Sequence, residues 1–238
     1  MRYPVKLLAW LGLAALTAAL PARAELTPHS AEYKVRISVL SGTLNTRLSA
    51  TDGAYAAVHS IVPTGMARMV ARGSIEEMSV FNLSERGMLP SHYRSSDTLS
   101  RDNTQADVSF DWSTGALHGT VNDAPINGNL DGIVHDRVSI QYELMRDMKN
   151  GGPRGTYTLF DIDELKTLNV TLIGSREIDV PAGRFTAIGV QHQAEGSSRV
   201  TTLWCAEALD YLPIVIEQHR KGKLRLRATL TEYVPETT

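Results

Sequence analysis

Cysteine is almost missing from this chain: Cys205 is the single one in 238 residues. One thiol cannot form an internal disulfide, so stability has to come from a packed core, which about two hundred residues can supply. A charge excess is missing too. The formal net charge is −2, which argues against a general binder of nucleic acid or other polyanions. Aromatic residues make up only 6% of the chain, too sparse around its one basic stretch to build a base-stacking platform. The local signatures of common chemistries are also absent. There is no Gly-x-Ser-x-Gly elbow, no His-Glu-x-x-His, no Gly-x-Gly-x-x-Gly and no P-loop, and the seven histidines are scattered singly. We therefore assign no catalytic residues, no metal ligands and no cofactor from sequence.

Long apolar runs are equally scarce, with one exception at the start. In "MRYPVKLLAWLGLAALTAALPARA", Arg2 and Lys6 precede an apolar run from Leu7 to Leu20. Pro21 and the small-x-small triplet Ala22-Arg23-Ala24 follow, the pattern of a secretory signal cut after Ala24. The run is short of the ~20 residues that span a bilayer. Removing residues 1–24 leaves 214 residues with 21 basic and 26 acidic side chains, a net charge of −5. No cysteine follows the cut, which excludes a lipidated N-terminal Cys. The expectation is a single periplasmic β-rich domain over residues 25–238, with no transmembrane segment after cleavage.

What is abundant is alternation. In "SAEYKVRISVL", Ala31, Tyr33, Val35, Ile37 and Val39 alternate with Glu32, Lys34, Arg36 and Ser38. "ADVSFDW" sets Val108, Phe110 and Trp112 against acids and a serine, and "KLRLRATLTEYV" sets Leu224, Leu226, Ala228 and Leu230 against Arg and Thr. Period two with one apolar face is the mark of half-buried strands. Thr51-Asp52-Gly53, Ser113-Thr114-Gly115, Pro181-Ala182-Gly183, Lys221-Gly222-Lys223 and Asp161-Ile162-Asp163-Glu164 separate such runs as turns. One stretch breaks the rhythm. "DRVSIQYELMRDMKN" spaces Val138, Tyr142 and Met145 helically, with Asp136 as cap and Gly151-Gly152-Pro153 as stop. The expected fold is mainly β: one curved antiparallel sheet or half-barrel, with a single helix near residues 136–149. Because little helix is available to cover the apolar face, the sheet must close, pair or curl around something.

The C-terminal third carries a resemblance. Val180, Pro181, Ala182, Gly183 and Phe185 form a turn motif, followed by Trp204 at a strand end and then Leu212-Pro213-Ile214. This block resembles the bacterial exported domain-of-unknown-function family numbered 3108, with Ile214 where the family usually has Val. "AEYKVRISVLSGTLNTRLS", "GMLPSHY" and the helix after Asp136 extend the likeness over nearly all of the mature chain. The resemblance implies a β-rich exported domain and brings no reaction with it. The Leu-Pro-Val turn after a Trp strand is also similar in architecture to the half-barrels of outer-membrane lipoprotein carriers, which licenses no function.

Cys205 lies beside Trp204 and Glu207, and an acid raises a thiol pKa, so it reads as a small buried residue. His135-Asp136 reads as a loop histidine and a cap, because neighbours on an extended segment point apart. Asp161, Asp163 and Glu164 lack the glycine and distal Glu of a calcium loop. Arg220, Lys221, Lys223, Arg225 and Arg227 read as a charged hairpin and wet strand face, or as a contact for anionic envelope components. The functional expectation is a non-catalytic binding or carrier module for a lipid, another apolar envelope ligand or an envelope protein partner. The alternatives are an envelope or cell-wall hydrolase with dispersed residues (Asp111, His135 and Asp136 first) and a purely structural envelope protein.

Overall fold

The computed structural model describes residues 26–51, 53–100 and 103–236; the segment read as a signal peptide lies outside them. Fifteen strands follow one another: β1 (His29–Ile37), β2 (Leu40–Thr51), β3 (Ala54–Thr64), β4 (Ile75–Leu83), β5 (Met88–Asp97), β6 (Thr104–Asp111), β7 (Ala116–Val121) and β8 (Ala124–Asn129), then β9 (Val134–His135), β10 (Thr156–Asp161), β11 (Glu164–Val180), β12 (Gly183–Ala194), β13 (Arg199–Ala206), β14 (Leu212–Arg220) and β15 (Lys223–Pro235). Two helices interrupt them, the one-turn α1 (Ala67–Val70) and α2 (Ser139–Lys149). All the strands belong to one sheet, in the order β8-β7-β6-β5-β4-β3-β2-β1-β15-β14-β13-β12-β11-β10-β9. Nearly every ladder is an antiparallel hairpin, as the turn-separated alternation requires.

Two connections depart from the meander. β1 pairs with β15, which brings the two ends of the described chain together in mid-sheet. β9 pairs with β10 in parallel, because α2 carries the chain across between them. The sheet is curved and is not closed into a barrel. The curl brings β9 alongside β5, and β6 to β8 run on past that junction.

The alternation holds where the face meets the core and fails at strand ends. On β1, His29, Ala31, Tyr33 and Val35 are buried while Glu32, Lys34 and Arg36 are exposed. Ile37 (48% exposed), Val39 (93%) and Leu224 (50%) belong to the apolar rows but lie beyond the covered part of the sheet.

Helix α2 is the main departure from expectation. It does cover the concave face, and from both sides. Val138, Tyr142 and Met145 pack into the core under β1 to β6, with Tyr142 against Phe81, His29 and His59. Ile140, Leu144 and Met148 pack into a second cluster with Tyr157, Leu168, Val170, Val190, Leu203 and Cys205. Each fully buried apolar side chain of this kind contributes about 1.5–3 kcal/mol. The sheet curls around its own helix.

A helix surrounded on all sides must bury its polar residues as well. Glu143 accepts hydrogen bonds from the Met88 N–H (3.1 Å) and from Arg146 (2.9 and 3.0 Å), and it is ion-paired to Arg154. Asp147 accepts from Tyr157 (2.7 Å) and Arg154 (3.0 Å). A buried carboxylate is tolerable only when paired and hydrogen-bonded in this way. Gly87, at φ +145°, passes so close that a Cβ would lie 3.0 Å from Glu143 Oε1 and 2.8 Å from Ile133 Cδ1. The β4–β5 turn can therefore reach the helix only with glycine there.

Candidate functional site

The inner cluster does not fill the whole curl. An open cleft of about 740 Å³ runs between α2 and the inner face of β10 to β14. Strand alternation builds its floor. Leu159, Leu168, Leu203 and Ile216 point inward from β10, β11, β13 and β14, and Ile140 and Leu144 meet them from the helix. Trp204, on the opposite face of β13, instead lies under Arg176, whose guanidinium carbon sits 3.8 Å from its ring centroid.

Charged groups rim this floor. At one end Arg137 pairs with Glu77 (3.2 Å) and approaches Asp161 (3.9 Å), while Tyr93 donates to Glu77 at 2.7 Å. Burial works against the Arg137 charge, but Glu77, Tyr93 and Asp161 outweigh it and raise the pKa. Lys166 bonds Asp161 (2.6 Å) and Glu164 (2.7 Å), and these bonds raise its pKa in turn. Asp161 and Glu164 thus hold a lysine at the cleft mouth. At the other end stand Arg199 and Arg220. His192 lines the wall, with burial lowering its pKa to about 4, so it is neutral at pH 7.

The three residues considered for dispersed catalysis are not brought together. Asp111 is half-buried at the end of β6 and caps its own turn through Ser113 and Thr114, which lowers its pKa. His135 is not on a loop, as its sequence context suggested. It is buried on β9 against Tyr157, and burial lowers its pKa to about 3. Asp136 is the helix cap that was expected. Its Oδ1 accepts the N–H groups of Val138 and Ser139 (2.8 Å each), its own N–H donates to Ser139 Oγ (2.9 Å), and Oδ2 accepts the Ser79 hydroxyl (2.6 Å). Burial raises its pKa to about 6 against those hydrogen bonds. Such a value suits proton transfer at neutral pH, yet none of the three lines the cleft.

Cys205 is buried in the same cluster as the floor residues Leu203, Leu168, Ile140 and Leu144, and burial pushes its thiol up to about 12. No group of three or more His, Cys, Asp or Glu among the described residues could hold a metal ion. No helix among them is long and apolar enough to cross a membrane. What the cleft offers a ligand is an apolar floor, a charged rim and hydrogen-bonding side chains on its walls.

The family described as "Protein of unknown function (DUF3108)" matches residues 30–229. The chain belongs to that family. The DUF3108 match takes in all of α2 and every residue of the cleft. Among solved structures, the crystal structure of a beta-barrel-like protein of domain of unknown function DUF1849 from Brucella abortus is similar, with a TM-score of 0.59. The match covers 90% of this chain and 99% of that one at 12% identity, a likeness of fold alone. No curated protein matches the chain. Sequence reasoning missed the cleft because its residues come from seven separate elements, β4, α2 and β10 to β14. The early signals were isolated: Arg220, read as part of a wet basic face, and Asp161 and Glu164, read as a hairpin tip.

Proposed function

We propose that this DUF3108 protein is a non-catalytic binding module that holds an amphiphilic ligand in the cleft beside α2. We further propose that it does so in the periplasm as residues 25–238, after loss of the N-terminal segment. The observation that carries the reading is the cleft itself: about 740 Å³ of space over an apolar floor inside a charged rim. The volume falls within the about 300–1,000 Å³ of small-ligand pockets, and the lining joins a narrow apolar floor to more extensive polar walls, which suits an amphiphile rather than a wholly apolar guest. The occupied concave side narrows the idea. The ligand is not wrapped by the sheet but lies in the space left between the sheet and its helix.

The test is mass spectrometry of organic extracts from protein purified out of the envelope fraction, alongside a variant with the cleft filled. Leu159→Trp places a large ring into open space at a partly buried floor position. The expected result is an amphiphile recovered from wild type and lost from Leu159→Trp, with unchanged thermal stability. Clean wild-type extracts, together with no binding of added single-chain lipids, would defeat the proposal. N-terminal sequencing of the exported protein tests the other half, with Glu25 expected first.

A further inference from the structure

Arg199 and Arg220 stand directly opposite each other across the β13–β14 ladder. Both lie on the inward row that also carries Thr201, Leu203, Ile216 and Gln218, and all of these line the cleft. Like charges directly opposite on a sheet repel and destabilise it. Elsewhere on the rim the cations are neutralised, Arg137 by Glu77 and Lys166 by Asp161 and Glu164. Neither Arg199 nor Arg220 has an ion-pair partner among the described residues, and Glu195 on the same rim bonds neither. Two planar guanidinium forks held side by side suit an oxyanion, which they can grip through paired N–H groups. Gln141, on the helix wall of the cleft, has a buried amide nitrogen with no hydrogen-bond partner in the protein.

We infer that the cleft is specific for a single-chain anionic lipid. Its oxyanion head sits between Arg199 and Arg220, and its aliphatic chain runs over Leu203, Ile216 and Leu144 toward Ile140. This rests on the binding reading above and adds the chemical class and the orientation of the ligand. A free phosphate would gain the arginines but not the floor. A neutral amphiphile would gain the floor but leave the arginine repulsion in place. The arginines belong to the open rim, so the head group enters last and remains reachable by solvent.

The experiment is calorimetric titration of the mature protein with four probes: palmitoyl lysophosphatidate, palmitate, monopalmitoylglycerol and inorganic phosphate. The two anionic lipids are expected to bind at least tenfold more tightly than monopalmitoylglycerol, with affinity falling as salt is raised. Arg199→Gln and Arg220→Gln should each weaken the anionic lipids about tenfold and leave monopalmitoylglycerol unchanged. Both side chains are exposed and mutually repelling, so the thermal midpoints of these variants should hold or rise. Equal affinity for charged and neutral lipids, or anionic binding indifferent to both substitutions, overturns the head-group assignment and leaves the carrier reading standing. Phosphate binding as tightly as the lipids overturns the lipid assignment. Failure of all three lipids to bind overturns both readings together.

Discussion

Replacing Asp136 by asparagine tests how the helix at the centre of the curl is held. The carboxylate is fully buried, and burial raises its pKa from 3.8 to about 6 despite bonds from Ser79, Val138 and Ser139. Below pH 3.8 the group is protonated both folded and unfolded, and its contribution is fully present. As pH rises toward 6 the unfolded chain releases the proton first, so stability falls, by about 1.4 kcal/mol per pH unit. The loss levels off above pH 6 at about 3 kcal/mol. Asparagine keeps an oxygen for the two backbone N–H groups and carries no titratable charge. The stability of wild type relative to Asp136→Asn should therefore drop by about 2.5 kcal/mol between pH 4 and pH 7. At about 2–4 °C per kcal/mol for a domain of this size, the gap in thermal midpoint swings by about 5–10 °C. Differential scanning calorimetry of both proteins across pH 4–8 measures it, and other titrations cancel in the difference. Parallel curves, or an asparagine variant that loses ground as pH rises, would refute the claim that Asp136 is costly when ionised.

The buried histidines act in the opposite direction. His59 and His192 (each lowered to about 4), His135 (about 3) and His29 (lowered) are held neutral by burial. Their stabilising contribution is present above the unfolded pKa of 6.5 and is lost as pH falls, so the wild-type midpoint should decline below pH 6.5; a flat profile down to pH 5 argues against it. Glu143→Gln removes one of the two carboxylates shared by Arg146 and Arg154, Asp147 remaining, and should cost about 1–3 kcal/mol in urea unfolding. A loss under 1 kcal/mol would show that this network is not what seats α2. Cys205 should resist iodoacetamide at pH 8 in the native state and react once the protein is unfolded, because its thiol is buried and raised to about 12. Fast native labelling would contradict its packing in the cluster of the cleft floor.

The legible parts of this protein are those whose causes are short-range. Alternation in residues 31–35 and 224–230, the Gly-containing turns at 113–115, 181–183 and 221–223, and the Asp136 cap each depend on neighbours a few positions away. They appear in the structure as strands, hairpins and a helix start. The character of α2 was not legible, because its acids Glu143 and Asp147 look like a solvated face until Arg154 and the Met88 N–H are brought beside them. The candidate site was legible only in fragments, as Arg220 within a basic run and as Asp161 and Glu164 in a hairpin tip.

Periodicity and turn chemistry are written into adjacent residues, so strand, hairpin and helix could be read directly from the chain. Which side of the sheet would be occupied, and by what, depends on where a fifteen-strand curl brings residues separated by dozens of positions. Tertiary contact alone put α2 inside the curl, left open space beside it, and set two arginines face to face with no acid between them. Burial and ion pairing are properties of that assembled neighbourhood, and no local pattern encodes them.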